Sequence, residues 1–383
     1  MKRKPFLAME LGSTKVTCLL AQPAAAGHQM LGCGLAPYDH TGSGWPNDPA
    51  ILAAAVTRAL DDPSLTYRPD RAVVALSHPA LAHRQVTAQI DLSDEPITIR
   101  ARDLQRLRAQ ALGQALGIDR EVLLCEPLGY AGNGFDGVSD PRGLVATRLS
   151  AAYQLVTIPL AVRRAVVQAL EMASLEVEHI TYTLKALAAT CLESEAAGGS
   201  GMVSPRVLLV DLGGASTDLA VVDRGMLVRT QTLAWGGQHV VEAVASANRL
   251  TVANALPVVL EGLSTTRPGV RQLIEEQLTV LQQALQAFLK DDARPERVVV
   301  TGRGALIDGL VEWIQQTTGL PSVMGRSPGT QPLGDLSRQV AFSPLMGLLS
   351  IAWQPSAGSQ GPRSARTIDR LIHHTKHILV DYF

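Results

Sequence analysis

The chain has 383 residues, 46% hydrophobic and 4% aromatic, and its 34 Lys plus Arg nearly balance 35 Asp plus Glu. This length predicts two or three domains with a substantial core, and the aliphatic content excludes a disordered chain. The charge balance excludes a nucleic-acid partner, because no basic stripe interleaved with aromatic residues occurs. Glu10 breaks the N-terminal apolar run too early for a signal peptide, and no apolar run is long enough to span a membrane. We expect a cytosolic chain unless another segment anchors it.

The first chemical motif lies at residues 5–23, where FLAMEL, GSTK and VTCLLAQ predict two strands joined by a tight glycine turn. Gly12 permits the turn, and its backbone amides form a concavity suited to an anion. The side chains predicted to assist in binding a polyphosphate are Ser13, Thr14 and Lys15. Taken alone, this turn is better explained as an ordinary tight hairpin with a solvated lysine.

The same pattern returns in residues 206–223, RVLLVDLGGASTDLAVVD. The repetition predicts a duplicated architecture with one site between the halves. The residues predicted to contact phosphate in this second turn are Gly213, Gly214, Ser216 and Thr217. Asp211 and Asp218 are predicted to hold a hydrated Mg²⁺.

Hydrophobic periodicity predicts the remaining elements. The helices are expected at 50–61, 101–117, 160–173, 184–195, 237–248, 268–290 and 345–353, and further strands at 71–77, 122–130 and 298–301. A third glycine turn, TGRGALIDG, follows the last strand and is expected to open a helix, so that Gly302 and Gly304 let a flat ring approach the backbone. Four scattered cysteines without a CxxC pair predict buried free thiols.

Residues 354–366 are rich in Pro, Gly, Ser and Gln and predict a tether. The next 17 residues predict an amphipathic helix whose position after a tether and aromatic end favour membrane binding, although such a helix also packs on its own protein. The predicted membrane-facing residues are Ile368, Leu371, Ile372, Leu379, Tyr382 and Phe383.

The order of the three glycine turns resembles that of the actin/Hsp70/sugar-kinase superfamily. Within it, the segments MELGSTK (9–15), VALSHPA (74–80), DGVSDPRGLVATR (136–148) and VVTGRGALIDGL (299–310) resemble the bacterial cell-division protein FtsA family in register over nearly the whole chain. Segment 136–148 is the specific one, because it lies in the small domain that FtsA carries in place of a usual actin subdomain.

The resemblance implies an α/β, actin/Hsp70-like (ASKHA) two-lobed fold with duplicated ribonuclease-H-like domains and an FtsA-type inserted small α/β domain. The implied domains are lobe 1 (1A) at 1–77 and 162–195, the insert (1C) at 78–161, a connector at 196–205, lobe 2 (2A) at 206–236 and 298–353, a shortened 2B at 237–297, a linker at 354–366 and a membrane-targeting helix at 367–383.

The resemblance also implies ATP and Mg²⁺ as cofactors. Ser13, Thr14 and Lys15 would hold the β- and γ-phosphates, and Gly213 to Asp218 would bind the other phosphate face. Glu10 and Asp211 would lie near the metal, with Gly302, Arg303 and Gly304 behind the adenosine. No general base is recognisable among the nearest candidates, Thr183, Lys185 and Glu126, so at most slow ATP hydrolysis is expected.

The chain departs from the family pattern in three places. Arg303 stands where the family usually has glycine, and a long side chain there would crowd the adenine. Around Ala255 the family places a Glu and a Lys against the nucleoside, whereas this chain has Leu256 and Val259. Segment 257–270 is shorter than in the family, which removes part of the lobe that receives the C-terminal tail of the tubulin-like division protein FtsZ. Phosphate recognition is therefore expected to be better preserved than adenosine or FtsZ recognition.

The function implied is an adaptor on the cytoplasmic face of the inner membrane at the division site, which self-associates into filaments, tethers FtsZ polymers and helps to recruit other division proteins. Three alternatives remain. They are a degenerate FtsA-like paralogue without nucleotide or FtsZ binding, a PilM-like pilus-assembly actin homologue, and an ASKHA small-molecule kinase, which would need an acidic general base over a sugar pocket.

Overall fold

The computed structural model describes residues 5–24, 27–38, 44–191, 205–290 and 295–353. The strands are β1 Phe6–Leu11, β2 Lys15–Ala24, β3 Gly27–Pro37, β4 Arg71–Leu76, β5 Ala82–Asp91, β6 Ile97–Thr98, β7 Arg120–Gly132, β8 Phe135–Val138, β9 Val145–Ala146, β10 Arg148–Pro159, β11 Glu176–Tyr182, β12 Val207–Leu212, β13 Thr217–Asp223, β14 Met226–Leu233, β15 Arg297–Thr301 and β16 Ser322–Met324. The α-helices are α1 Pro49–Leu60, α2 Ala101–Ala115, α3 Leu160–Met172, α4 Thr183–Cys191, α5 Gly237–Asn248, α6 Val252–Leu260, α7 Pro268–Leu289, α8 Leu310–Thr318 and α9 Leu336–Trp353.

The first sheet has the strand order β11-β4-β1-β2-β3. Strands β1, β2 and β3 form an antiparallel meander, while β4 pairs parallel to β1 and β11 pairs parallel to β4. Strands β1 and β4 are almost entirely apolar, as expected of central strands in a largely buried sheet. Helices α1 and α3 pack against each other, and their buried residues share one core with this sheet.

The second sheet repeats this topology with the order β14-β13-β12-β15-β16. Strands β12, β13 and β14 form the antiparallel meander, and β15 and β16 are added in parallel on the other side of β12. Helices α5, α6, α7 and α8 contribute buried residues to its core. The duplicated α/β fold predicted from the repeated glycine hairpins is therefore confirmed.

A smaller sheet with the order β5-β10-β7-β8 follows the first lobe's β4 in sequence. Helix α2 packs on it through Leu107 and Ala111, which share a separate core with Leu149 and Tyr153. Strand β10 is central and pairs antiparallel with both β5 and β7. This unit is an independent α/β layer with its own apolar interior.

One local expectation needs correction. The third glycine turn does not open an α-helix directly: residues Arg303–Leu306 form a 3₁₀ turn, and α8 begins at Leu310 after Gly309, whose φ of 74° interrupts the helical path. Helix α4 is confirmed as far as Cys191, and the rest of the predicted helix, to residue 195, lies outside the described residues. The expectation of free thiols is confirmed, with Cys18, Cys33 and Cys191 buried and Cys125 half-buried.

No single helix among the described residues is both long and apolar enough to cross a membrane. Within the same residues, the bent pair α5 and α6 reaches the required length and apolar composition only when its two helices are counted together. The tether, together with the predicted membrane-facing residues, lies outside the described residues. Those residues are Ile368, Leu371, Ile372, Leu379, Tyr382 and Phe383.

Candidate functional site

The turns of the two repeated hairpins meet each other. Each turn is closed by the same hydrogen bond, from Gly12 N–H to the Lys15 carbonyl and from Gly213 N–H to the Ser216 carbonyl, both at 3.0 Å. The turns are joined directly, because Ala215 N–H donates to Ser13 Oγ at 2.9 Å. The structure thus brings together two motifs that are two hundred residues apart in the chain.

Glycine is required at the contact between the turns. A Cβ atom on Gly214 would lie 2.6 Å from Thr14 Cγ2 and 2.7 Å from Ser13 Oγ, closer than carbon atoms approach. Gly236 is equally constrained, since its Cβ would lie 2.5 Å from the Gly214 carbonyl oxygen. The close approach lets the backbones of the two turns lie directly against each other.

Helix α5 holds the second turn from behind. The first amides of this helix, those of Gly237 and Gln238, donate to the carbonyl oxygens of Gly213 and Gly214 at 2.9 Å each. These bonds satisfy two of the first amides of the helix and fix the second turn on its N-terminus.

The third glycine turn lies against the end of β12. Gly302 has φ 80°, and a Cβ there would come within 2.4 Å of the Leu212 carbonyl oxygen and 2.5 Å of Asp211 Oδ1. Gly304 packs on Leu212 in the same way, with a Cβ position 2.8 Å from the Leu212 Cβ. All three predicted turns therefore converge at one place, and Arg303 projects from the third with an exposed side chain.

Three ionisable groups lie between the sheets at this place. Burial raises the pKa of Glu10, and the Lys15 ammonium opposes that rise. Burial also raises the pKa of Asp211 well above its ordinary value, with the charges of Glu10 and Asp218 adding to the rise. Burial lowers the pKa of Lys15, and the Arg303 charge lowers it further, against the opposing effect of Glu10.

Lys15 has no direct partner within the described residues. No hydrogen bond or ion pair within 4.0 Å joins its ammonium to Glu10, to Asp211 or to any other described residue. A half-buried ammonium without a counterion is costly, and an anion at the turns would offset that cost. The carboxylates of Glu10 and Asp211 would likewise be stabilised by a bound cation.

Asp218 has a different environment from the other two acids, although the sequence grouped it with them. Its Oδ2 accepts from Ser77 Oγ at 2.6 Å, and its Oδ1 accepts from Tyr182 Oη at 3.1 Å and from the Thr232 hydroxyl. These donors come from the ends of β4 and β11 and from β14. Asp218 thus links the second lobe to the first, whereas Glu10 and Asp211 make no such contact between the lobes within the described residues. The described residues include no group of three or more His, Cys, Asp or Glu side chains that could bind a metal directly.

His83 extends this contact into the inserted sheet. Its Nδ1 lies 2.7 Å from Thr230 Oγ1 and its Nε2 lies 2.8 Å from Thr232 Oγ1. Gln154 Nε2 of β10 also donates to Thr230 Oγ1 at 2.9 Å. Burial lowers the pKa of His83 to about 4, so the ring is neutral at physiological pH.

The side chains considered as general bases serve the same junction. Glu126 pairs with Lys185, and it also accepts from Leu227 N–H at 3.1 Å, while Lys185 Nζ donates to the Gly225 carbonyl at 3.3 Å. Gln85 Nε2 donates to the Val228 carbonyl at 2.8 Å. These contacts cover the open edge of β14 with side chains of the insert and of α4.

The sequence interpretation missed two residues at the site. Tyr38 donates its backbone N–H to the Thr14 carbonyl at 3.2 Å, and burial together with the Glu10 charge raises the pKa of its hydroxyl. Gln238 has an Oε1 atom 3.3 Å from the position of a Gly214 Cβ. The GG pair before Gln238 was the available signal, because paired glycines ahead of a helix indicate close backbone approach.

The residues present fit a nucleotide phosphate group with Mg²⁺. Several buried polar atoms lack a hydrogen-bond partner in the described residues, among them Tyr38 Oη, Thr183 Oγ1, Gln238 Oε1 and Thr301 Oγ1. Tyr38 is bonded to the first turn and Thr301 precedes the third, so their hydroxyl groups, with the Lys15 ammonium, are donors suited to phosphate oxygens. Gln238 Oε1 is an amide oxygen and can only accept a hydrogen bond. The nucleoside side fits less well, since Val259 is only 1% exposed and faces the core of its lobe.

The shortened segment 257–270 is firmly attached to the lobe. It contains the 3₁₀ turn Gly262–Ser264, and Leu263 N–H donates to the Asp308 carbonyl at 2.9 Å. Gly262 has φ 60°, and a Cβ there would lie 2.1 Å from that same carbonyl oxygen. A compact connection therefore occupies this position.

Comparison with known proteins agrees with this architecture. Residues 80–157 match the family model of the SHS2 domain inserted in FtsA. The cell division protein FtsA of Agrobacterium fabrum (strain C58) is 25% identical over 389 residues, covering 89% of this chain and 85% of the relative. The Escherichia coli (strain K12) FtsA is 23% identical over 386 residues, covering 91% of this chain and 90% of the relative.

Solved structures share the fold at low sequence identity. A chain of the PilM-PilN type IV pilus biogenesis complex has a TM-score of 0.69 at 19% identity, covering 92% of this chain and all of that one. MreB5 of Spiroplasma citri bound to AMPPNP has a TM-score of 0.50 at 12% identity, covering 98% of this chain and 100% of that one. The chain thus has an actin-like fold that carries an FtsA-type SHS2 domain, and its resemblance to the FtsA family is confirmed.

Proposed function

We propose that this protein is an adaptor of bacterial cell division that binds ATP and Mg²⁺ between its two hairpin turns. In this proposal it self-associates, tethers FtsZ polymers to the cytoplasmic face of the inner membrane and helps to recruit further division proteins. The observation that carries the proposal is the SHS2 sheet attached to both lobes beside the paired turns. The relatives that align over about nine-tenths of the chain are cell division proteins.

The turns support the nucleotide part of the proposal. The amides of the second turn, with Ser216, would bind one face of the phosphates, and Ser13, Thr14 and Lys15 the other. Thr217 would take part through its backbone, because its buried hydroxyl donates to the Trp235 carbonyl at 2.9 Å. Glu10 and Asp211 would orient water molecules around Mg²⁺. The phosphates of bound MgATP would contact residues of both hairpins and so link them. Because Glu126 and Lys185 pair with each other, we propose at most slow hydrolysis and a mainly structural role for the nucleotide.

The proposed domain division follows the three sheets. We propose that the insert at 78–161 attaches to lobe 1 at 1–77 and 162–195, and that residues 206–236 with 298–353 form lobe 2 with 237–297 as its shortened subdomain. We further propose that the segment 367–383 anchors the protein on anionic lipid.

Co-sedimentation with liposomes of phosphatidylethanolamine and phosphatidylglycerol tests the adaptor role. We expect the full chain with MgATP to pellet with the liposomes and to bring FtsZ with it, whereas a chain ending at Gln354 stays in the supernatant. A full-length control with Leu371→Asp and Ile372→Asp should behave like the shortened chain, because two charges disrupt the apolar face. Equal pelleting of the full and shortened chains would show that the anchor is wrong.

The same experiment separates the alternatives. If the full chain pellets and FtsZ stays behind, the FtsZ tether is wrong and the paralogue without FtsZ binding is favoured. The PilM alternative has specific structural support, because the PilM-PilN chain aligns over its whole length with a TM-score of 0.69. It would be favoured if neither liposomes nor FtsZ retained a chain that still binds MgATP.

A further inference from the structure

Arg303 begins the 3₁₀ turn that follows β15. The preceding Gly302 packs so closely on β12 that a Cβ would lie 2.5 Å from Asp211 Oδ1. The following Gly304 approaches helix α5, since its Cα lies 3.9 Å from the position of a Gly237 Cβ. Arg303 therefore stands on a backbone fixed against both the acid of the second hairpin and the helix behind its turn.

The guanidinium of Arg303 is exposed and makes no hydrogen bond or ion pair with another residue in the described ranges. Two exposed arginines of this lobe, Arg206 and Arg271, are paired with Asp223 and Glu275 at 2.9 Å each. The exposed Arg249 is, like Arg303, unpaired in the described ranges. A guanidinium offers five N–H donors in a planar fork that matches phosphate oxygens. These donors remain available for a ligand at the turns.

Arg303 also acts electrostatically on the first hairpin, because its charge helps to lower the pKa of the Lys15 ammonium. Two cations that repel each other across a site are stabilised when an anion lies between them. Both residues belong to turns that contact each other or the end of β12. The arrangement favours a ligand with several negative charges.

Helix α6, which the resemblance to FtsA places beside the nucleoside, offers little polar recognition. Helix α6 has the sequence VANALPVVL, in which Asn254 is the one side chain that can form hydrogen bonds. Val259 is buried in the core, and Leu256 is 38% exposed. Strong discrimination between bases requires buried polar groups that the correct base pairs with, so this helix predicts weak discrimination.

We infer that Arg303 is a second phosphate-binding cation of this site, acting with Lys15, and that the ligand class is a nucleoside triphosphate held mainly by its phosphates. This assignment rests on the proposed nucleotide site and replaces the expectation that Arg303 crowds the adenine. It explains why a long basic side chain occupies a turn that is otherwise formed by glycines. It also predicts that inorganic triphosphate binds without a base.

Titration calorimetry of the full chain with Mg²⁺ tests this inference, with inorganic triphosphate, ATP and GTP as ligands. We expect Arg303→Ala to weaken all three by a common factor of about ten, the effect of losing one charge-assisted contact. Arg303→Lys should recover part of the loss, because it keeps the charge without the fork. Arg271→Ala is the matched control, since it removes an exposed arginine from α7 of the same lobe and should leave every affinity unchanged.

The outcomes distinguish the inference from the proposed site. If the wild-type chain binds the triphosphates and Arg303→Ala leaves their affinities unchanged, the role of Arg303 is wrong and the site stands. If Arg303→Ala tightens ATP while inorganic triphosphate is unaffected, Arg303 crowds the base and the inference is overturned. If the wild-type chain binds none of the three, both the site and the inference are wrong. A loss of affinity in Arg303→Ala alone does not exclude a folding defect. Arg303→Lys keeps a long, charged side chain, so its affinity reports on the contact itself.

Discussion

Replacing Lys15 with alanine is expected to weaken MgATP binding by about a hundredfold, the upper range for a charge-assisted hydrogen bond to phosphate. Lys15 is the cation at the meeting point of the two hairpins, and its ammonium has no ion-pair partner within the described residues. Its removal would also leave Glu10 and Asp211 without the positive charge that offsets their burial. The phosphates would then be repelled by these two carboxylates, whose charge Lys15 no longer offsets.

Titration calorimetry with MgATP measures this loss. Lys290→Ala is the matched control, because Lys290 is exposed at the end of α7 and its removal changes the net charge equally. Thermal unfolding of both variants establishes that each remains folded. An affinity of Lys15→Ala equal to that of Lys290→Ala would show that Lys15 does not contact the ligand.

Replacing Asp218 with alanine is expected to destabilise the fold by about 3 kcal/mol, because three hydroxyl groups would lose a common charged acceptor in the interior. Asp218 is 1% exposed and accepts from Ser77, Tyr182 and Thr232. Burial raises the pKa of its carboxyl group while these hydrogen bonds oppose the rise. Asp218→Asn keeps one carbonyl acceptor and avoids burying a charge, so it should cost less, about 1 kcal/mol.

Urea unfolding followed by tryptophan fluorescence gives the loss of stability. Asp140→Ala is the control, since Asp140 forms an exposed ion pair with Arg142 and its removal should cost less than about 1 kcal/mol. Asp218→Asn should also bind MgATP with wild-type affinity. If it instead kept full stability and lost Mg²⁺-dependent binding, Asp218 would be a metal residue, as the sequence pattern predicted, and its structural assignment would be wrong.

Much of the lobe architecture was predictable because its signals are local. The first two glycine turns lie between continuous apolar strands, so the hairpins follow from residues 5–23 and 206–223 alone. The predicted helix at 237–248 has the same bounds as α5, since a glycine pair precedes it and its apolar spacing is regular. Long, strongly patterned segments carry their structure in their own sequence.

Other parts depend on contacts that no local pattern records. Strand β5, AHRQVTAQID, has a polar sequence and few buried residues. It is nevertheless a strand, because it pairs with β10 along ten residues. The hydrogen bonds that Asp218 accepts from Ser77 and Tyr182 could not be predicted, because these donors are distant in sequence. Gln238 and Tyr38 were missed for the same reason, since their contacts with the turns follow no local pattern. Such contacts depend on tertiary structure rather than on composition.

Hydrogen–deuterium exchange with and without MgATP tests most directly whether the three turns form one nucleotide site. We expect MgATP to slow exchange together in peptides that cover 11–17, 211–218 and 301–306, because their amides converge at one place. A peptide from the outer part of α7, within Pro268–Leu289, should be unaffected. Unchanged exchange in all three turns at saturating MgATP, or slowing confined to one of them, would contradict the proposed site.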